Sequence, residues 1–283
     1  MSSVEEKKFG VLSVDVVRHS FTSPTTVAQP DLVAEEVPVA LVFNGISHAV
    51  MMATPLDLED FAVGFALSEK IVDQASQIYD LEVVNAHSGI DQLGIEVHMH
   101  IAQACFARLK QKRRNLSGAT GCGLCGLESL QALDLAADYS PPVNDVISVK
   151  QSVLQKAFAS LSEQQTLNAL TGSMHAAAWV NLDGEIELLR EDVGRHNALD
   201  KLIGRLSKDT KFEKRSGFAI MSSRASYELV QKSARAQIQI LATISAPTSL
   251  AIDIARRAGI CLIGFVRKSG FVIYTHPERL IAE

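Results

Sequence analysis

Two cysteines three positions apart, Cys122 and Cys125, sit in the run Thr120-Gly121-Cys122-Gly123-Leu124-Cys125-Gly126. Glycine before, between and after the thiols leaves the stretch permissive, as a loop presenting sulfur to a partner would need. Thiol exchange is the chemistry open to such a pair: a thiolate attacks a donor persulfide, holds the outer sulfur and releases it to an acceptor. Upstream, Arg108, Lys110, Lys112, Arg113 and Arg114 crowd together. They favour thiolate over thiol if the fold brings them near, and otherwise form a solvated helix face. Two other readings stay open. A Cys-x-x-Cys can be half of a zinc site, although neither Cys105 nor Cys261 has a Cys or His at ligand spacing beside it. The pair can also be structural. A thioredoxin-like motif fits poorly, because a glycine-rich stretch opens a helix badly.

Further polar clusters lie downstream. His175, in Thr171-Gly172-Ser173-Met174-His175, stands among small residues before a strand and reads first as a satisfied core histidine. Glu191-Asp192-Val193-Gly194-Arg195-His196-Asn197 and on to Lys201 combines both charge signs at a strand-to-helix turn. Such a density is costly unless the groups bind one another or a ligand. Ser222-Ser223-Arg224 also follows a strand and starts a helix, where backbone donors, hydroxyls and a guanidinium could take an anion, or merely cap the helix. Ala246-Pro247-Thr248-Ser249 repeats that pattern without a cation. Phe265-Val266-Arg267-Lys268-Ser269-Gly270 places two cations and a glycine between the last strands, suiting a phosphate or an exposed hairpin equally.

The elements that must position these residues follow from periodicity. At 283 residues and 47% hydrophobic, the chain can bury a substantial core. Its net charge of -5 argues against a surface built for nucleic acid. The N-terminus lacks a leader-like apolar run and no stretch is long enough to span a bilayer. With irregular cysteine spacing, this predicts a soluble cytoplasmic protein without membrane attachment. Residues 1–29 read as a flexible arm containing a strand. Val37–Phe43 and Ile46–Met51 around Asn44-Gly45 predict a hairpin. Thr54 as N-cap and Pro55 at the first position predict a helix continuing through Leu67. Alternating runs at 81–84 and 93–101, separated by Asn85-Ala86-His87-Ser88-Gly89, complete an α+β unit over 30–145. Tyr139-Ser140-Pro141-Pro142 marks a linker. From 146 to 283 the pattern is that of a three-layer α/β domain: a helix over 149–161, a hairpin at Asp183-Gly184, a helix over 194–206, strands at 217–221, 239–244, 260–266 and 271–275, and helices over 225–238 and 247–258.

Taken in order, the Gly121–Gly126 motif, Thr171-Gly172 with His175, Glu191–Asn197, Ser222-Ser223-Arg224 and Tyr274-Thr275-His276-Pro277 resemble the formate dehydrogenase accessory sulfurtransferase family, FdhD, from about residue 30 to the end. The resemblance implies a cytidine-deaminase-like three-layer domain with a mixed sheet, a smaller N-terminal α+β domain, and a homodimer. It further implies a sulfurtransferase with a persulfide on Cys122 and Cys125 as companion. The donor would be a cysteine desulfurase, and the acceptor the molybdenum bis(molybdopterin guanine dinucleotide) cofactor of the formate dehydrogenase catalytic subunit. Phe265, Val266, Arg267, Lys268, Ser269 and Gly270 match the family's cofactor-binding segment. They depart from a Lys-Pro-Gly-Arg-like run there, so a backbone role carries over more readily than side-chain contacts. No resident metal is expected. The rival is a non-catalytic cofactor-binding chaperone whose thiols hold structural zinc. Deamination is disfavoured, because His175 is followed by three alanines rather than by a glutamate two residues on.

Overall fold

The computed structural model describes residues 10–22, 26–88, 92–114, 146–209 and 216–282. The chain opens with an antiparallel ribbon of β1 (Val11–His19) and β2 (Thr26–Ala34), in register from Val11↔Ala34 to His19↔Thr26. Much of the span expected as an arm is therefore paired strand. Its β-branched residues, Val14, Val16, Val17, Val27 and Val33 among them, favour the extended backbone, and cross-strand bonding satisfies it.

A four-stranded sheet follows, ordered β4-β3-β6-β5, from β3 (Val37–Phe43), β4 (Ile46–Ala53), β5 (Ile78–Ser88) and β6 (Gln92–Ile101). Asn44 and Gly45 both take positive φ, 46° and 79°, as an Asn-Gly hairpin turn requires. β5 runs through Asn85–Ser88, where composition predicts a break, because Asn85 and Ala86 pair with Ile95 and Gly94. Helices α1 (Leu58–Ser68) and α2 (Gln103–Arg114) cover one face, burying Leu41, Phe43, Phe61, Phe65, Val97, Met99, Phe106 and Leu109 together. The expected cap of α1 is not formed. The helix begins at Leu58 behind Asp57, which adopts a left-handed φ of 51°, while Thr54 is fully buried and bonded to the second half of the chain.

That half is a six-stranded mixed sheet, ordered β13-β12-β11-β10-β8-β9. Its strands are β8 (His175–Asn181), β9 (Ile186–Asp192), β10 (Gly217–Met221), β11 (Ile240–Thr243), β12 (Cys261–Arg267) and β13 (Gly270–Ile273). The central β10, β11 and β12 are parallel, flanked by antiparallel β8 and β13. Helices α5 (Arg195–Lys208), α6 (Tyr227–Arg235) and α7 (Ser249–Arg257) pack on one face, over Ala177, Trp179, Met221 and Leu262. Helix α3 (Gln151–Gln164) packs on the other, over Ala178, Val180, Phe218 and Ile220. Strands buried on both faces explain why this half reads as near-continuous apolar runs, and the three-layer architecture is as expected. Two boundaries differ. Val149 and Lys150 form β7, pairing in parallel with β14 (Leu280–Ile281), so the helix starts at Gln151. Ala225 bridges to Pro247, so α6 starts only at Tyr227. A short α4 (Thr166–Thr171) precedes β8.

The two sheets are joined by a close crossing of α1 and α5. A Cβ on Gly64 would stand 1.7 Å from the Asp200 carbonyl oxygen, and one on Gly204 would stand 1.9 Å from that of Asp60. Each helix thus offers a glycine to the other's backbone, one turn beyond an aspartate. Lys232 of α6 then links Asp200 of α5 (2.9 Å), Ser68 of α1 (2.8 Å) and Glu69 (2.9 Å). Burial opposes its charge, yet the Asp200 and Glu69 carboxylates hold the Lys232 ammonium above its ordinary pKa. Among the described residues no helix is long and apolar enough to cross a membrane.

Candidate functional site

The carboxyl ends of β10, β11 and β12 share one edge of the large sheet, the side on which open α/β sheets bind ligands. Because β8 and β13 run the other way, His175 and Gly270 begin their strands on this same edge, and β9 ends there at Asp192. Backbone contacts run along it: the Ser222 amide donates to the Ala176 carbonyl (3.0 Å), Ser245 to Ser223 (3.4 Å), and Phe265 to Ser245 (3.4 Å). The Ser222 hydroxyl also accepts from the Ala176 amide at 2.8 Å. Segments scattered over ninety residues of sequence are thereby brought side by side.

At one end lies the turn Phe265–Gly270. Phe265 adopts φ 53° and is 45% exposed, an aromatic ring held out to solvent by left-handed backbone. A register shift between Gly264 and Arg267 interrupts the alternation. Val266 therefore packs inside with Phe218, Ile220 and Ile263. Arg267, Lys268, Ser269 and Gly270 are exposed. Gly264 lets the turn close onto its neighbours: a Cβ there would meet Pro247 at 3.0 Å and Tyr274 at 3.1 Å.

At the other end the mixed-charge run divides by direction. The Asp192 carboxylate, fully buried, accepts from the Thr54 amide (3.1 Å), the Gly194 amide (2.8 Å), the Asn197 side chain (2.9 Å) and Lys201 Nζ (2.7 Å). Asn197 also donates to the Met52 carbonyl and Lys201 to that of Thr54. Glu191 accepts from the Leu167 and Asn168 amides, 2.9 Å each, closing the first turn of α4. These four polar residues satisfy one another and the backbone. Arg195 and His196 instead face the edge. His196 Nε2 lies 2.7 Å from Glu228 Oε2 and 3.3 Å from Ser226 Oγ. Both contacts fall on one ring nitrogen, so this is not the two-nitrogen relay that activates a nucleophilic serine. The His196 hydrogen bond holds the Glu228 carboxyl below its ordinary range. His175 is not a satisfied core residue: half-buried, its ring has no hydrogen bond to a described residue, and burial, aided by Arg195 and His196, lowers its pKa.

Tyr274-Thr275-His276-Pro277 belongs elsewhere. The Thr275 hydroxyl binds the Leu262 amide (3.0 Å) and the Ile260 carbonyl (2.6 Å) at the start of β12, and His276 Nε2 contacts the Arg256 carbonyl at the end of α7. This motif braces the opposite edge. Cys122 and Cys125, with the linker at 139–142 and the boundary at 145, lie outside the described residues. Cys105 and Cys261 are buried, and burial pushes the Cys261 thiol up to about 12, leaving it a poor thiolate. Sequence reasoning passed over Thr54 as a partner of Asp192 and the glycine crossing. Its one signal was the repeated Asp-x-x-x-Gly at 60–64 and 200–204.

A family model described as the FdhD/NarQ family matches residues 34–281. Among curated relatives, a sulfur carrier protein FdhD from Chromobacterium violaceum is 52% identical over 97% of this chain and 99% of its own length. Another from Cupriavidus necator is 54% identical over 89% of this chain and 84% of its own. A crystal structure from Desulfotalea psychrophila, provisionally described as a formate dehydrogenase accessory protein, superposes with a TM-score of 0.72 at 20% identity. It covers 96% of this chain and 99% of that one, a likeness of fold.

Proposed function

Because this chain belongs to the FdhD/NarQ family, we propose that it is a cytoplasmic sulfur carrier that supplies formate dehydrogenase with the sulfur its molybdenum site needs. The observation that carries this reading is near full-length similarity to proteins named sulfur carriers, in a chain whose matched span includes Gly121-Cys122-Gly123-Leu124-Cys125-Gly126. In the proposed loading step the Cys122 thiolate attacks the outer sulfur of a cysteine desulfurase persulfide. A new S–S bond forms on Cys122, the donor's S–S bond breaks, and the donor cysteine leaves as thiolate. Cys125 is the companion thiol. The acceptor is the bis-guanine-dinucleotide molybdenum cofactor, handled as cargo rather than as a resident group.

The carboxyl edge suits such a cargo chemically. Phe265 offers an exposed ring for stacking, Arg267 and Lys268 offer charge, and the turn's backbone carries donors for phosphate oxygens. A homodimer, with the formate dehydrogenase catalytic subunit as final recipient, completes the proposal. The test is mass spectrometry of the intact protein after incubation with desulfurase and cysteine. We expect a gain of one sulfur atom, absent in Cys122→Ala, and loss of formate dehydrogenase maturation in cells carrying that variant. Stoichiometric zinc bound by Cys122 and Cys125, with maturation intact in Cys122→Ala, would instead establish the zinc-holding chaperone.

A further inference from the structure

Several cations among the described residues are neutralised where they stand. Lys201, Lys208, Lys232, Arg190 and Arg205 each meet a carboxylate. The carboxyl edge of the large sheet departs from this. The Arg195 side chain has no hydrogen bond or ion pair with any described residue, and its Nε is sealed from solvent without an acceptor. A buried guanidinium N–H left unbonded costs free energy and asks for an explanation. Around it stand His175 and His196, close enough that Arg195 and His196 both disfavour a proton on His175. Arg224, exposed after β10, likewise has no side-chain partner among the described residues. The first turn of α5 adds amides without a side-chain cap, since Gly194 offers none.

We propose that Arg195 and His175, with Arg224 at the rim, form an anion subsite for a phosphate or pyrophosphate group, separate from the Phe265–Gly270 turn; the neighbouring His196 ring is already engaged by the Glu228 carboxylate at 2.7 Å. His175 begins β8 and Phe265 lies on β12, three strands away across β10 and β11, a separation of about 14 Å at the usual spacing between strands. One phosphate group cannot touch both places, whereas a ligand bearing phosphates on two arms can. The inference rests on the sulfur-carrier reading only for the identity of that ligand; the subsite itself stands on the cations. Binding should also take up a proton. Facing His175 are Arg195 and His196 from α5, which oppose its protonation, and Asp192 from β9, which favours it. An anion held by Arg195 beside the His175 ring would shift that balance toward the imidazolium, so affinity should fall as pH rises through the histidine range.

The test is calorimetric titration of the full chain with inorganic pyrophosphate, for the parent, Arg195→Gln, His175→Gln and the double variant Arg267→Gln/Lys268→Gln. Near-UV circular dichroism serves as the check on folding. We expect Arg195→Gln to weaken binding on the order of 10-fold or more, as loss of a guanidinium–phosphate pair does. In the double variant a site sensitive to Arg195 should remain. The parent's binding enthalpy should depend on the ionisation enthalpy of the buffer, a dependence that His175→Gln reduces. Equal affinity in the parent and Arg195→Gln, or loss of all binding in the double variant alone, overturns the subsite. Free phosphate competing as well as pyrophosphate would support the subsite and assign it to a single phosphate group. Failure of Cys122 to gain sulfur would sink the carrier reading yet leave these titrations unchanged.

Discussion

Replacing Lys232 by methionine should unfasten the joint between the two sheets, with a loss of stability that depends on pH. The ammonium meets both Asp200 oxygens (3.0 and 2.9 Å), the Ser68 hydroxyl (2.8 Å) and Glu69 (2.9 Å). The side chains of Lys232 and Asp200 are 8% and 2% exposed, whereas that of Glu69 is 35% exposed, so the Glu69 contact is screened and adds little. Without the ammonium, Asp200 keeps the Ser68 hydroxyl at 2.6 Å but no cation. Breaking a buried pair on one side costs about 3–5 kcal/mol, a large share of the roughly 5–15 kcal/mol that holds a domain folded. Burial raises the Asp200 pKa, and with the cation gone the carboxyl should take a proton. For an acid whose folded pKa lies above its unfolded value, stability is intact below the unfolded value and is lost as pH rises toward the folded one. The deficit of Lys232→Met should therefore be larger at about pH 8 than at about pH 5, and a second change, Asp200→Asn, should recover part of it. Urea unfolding followed by the single tryptophan, Trp179, reads this directly. A loss below about 1 kcal/mol at both pH values, or no recovery in the double variant, refutes the reasoning.

Other expectations are simpler. Gly204→Ala puts a Cβ 1.9 Å from the Asp60 carbonyl oxygen, against backbone of another helix. The cost should reach or exceed about 3 kcal/mol, a fall in Tm of about 6–12 °C. Gly172→Ala, with φ 68° but no atom within 4 Å, should cost only about 1 kcal/mol, and equal melting of the two variants would contradict the crossing. Glu228→Gln should flatten the acid limb of the melting profile. His196 depresses the Glu228 pKa, so its contribution is present above the unfolded carboxylate value and disappears as pH falls through the folded one. Parallel Tm curves for parent and variant between about pH 3 and about pH 6 would show that the pair contributes nothing.

Much of the second sheet was legible because its strands are buried on both faces and its helices carry regular apolar spacing. Gly217–Met221 and the Asp183-Gly184 turn coincide with observed elements. Errors cluster where a distant partner overrides a local signal. Thr54-Pro55 has the composition of a helix start, yet Asp192 and Lys201, far away in sequence, claim the Thr54 backbone, and the helix starts three residues after Pro55. The site was legible as a set of polar runs but not in its division of labour. Spacing could not say that Glu191, Asp192, Asn197 and Lys201 would turn inward while Arg195 and His196 turned out. Val266 was likewise grouped with its exposed neighbours, because a bulge that reverses two side chains leaves no mark in composition.

That inward turn has a mechanical consequence for the edge. Asp192 gathers donors from the end of β4, from its own turn and from two turns of α5, all within 3.1 Å, in a place without solvent to compete. Such a hub is costly to leave half-satisfied, so the end of β9, the start of α5 and the residue after β4 must move together. Arg195 and His196, on the first turn of α5, thereby inherit their aim from the smaller sheet as well as the larger. α2, the helix that leads toward Cys122 in sequence, packs on that smaller sheet through Phe106 and Leu109. The proposed anion subsite needs this registration, since a displacement of about an ångström can forfeit most of what a positioned contact contributes. The buried acid at 192 accordingly acts on the proposed anion subsite without touching anything bound there.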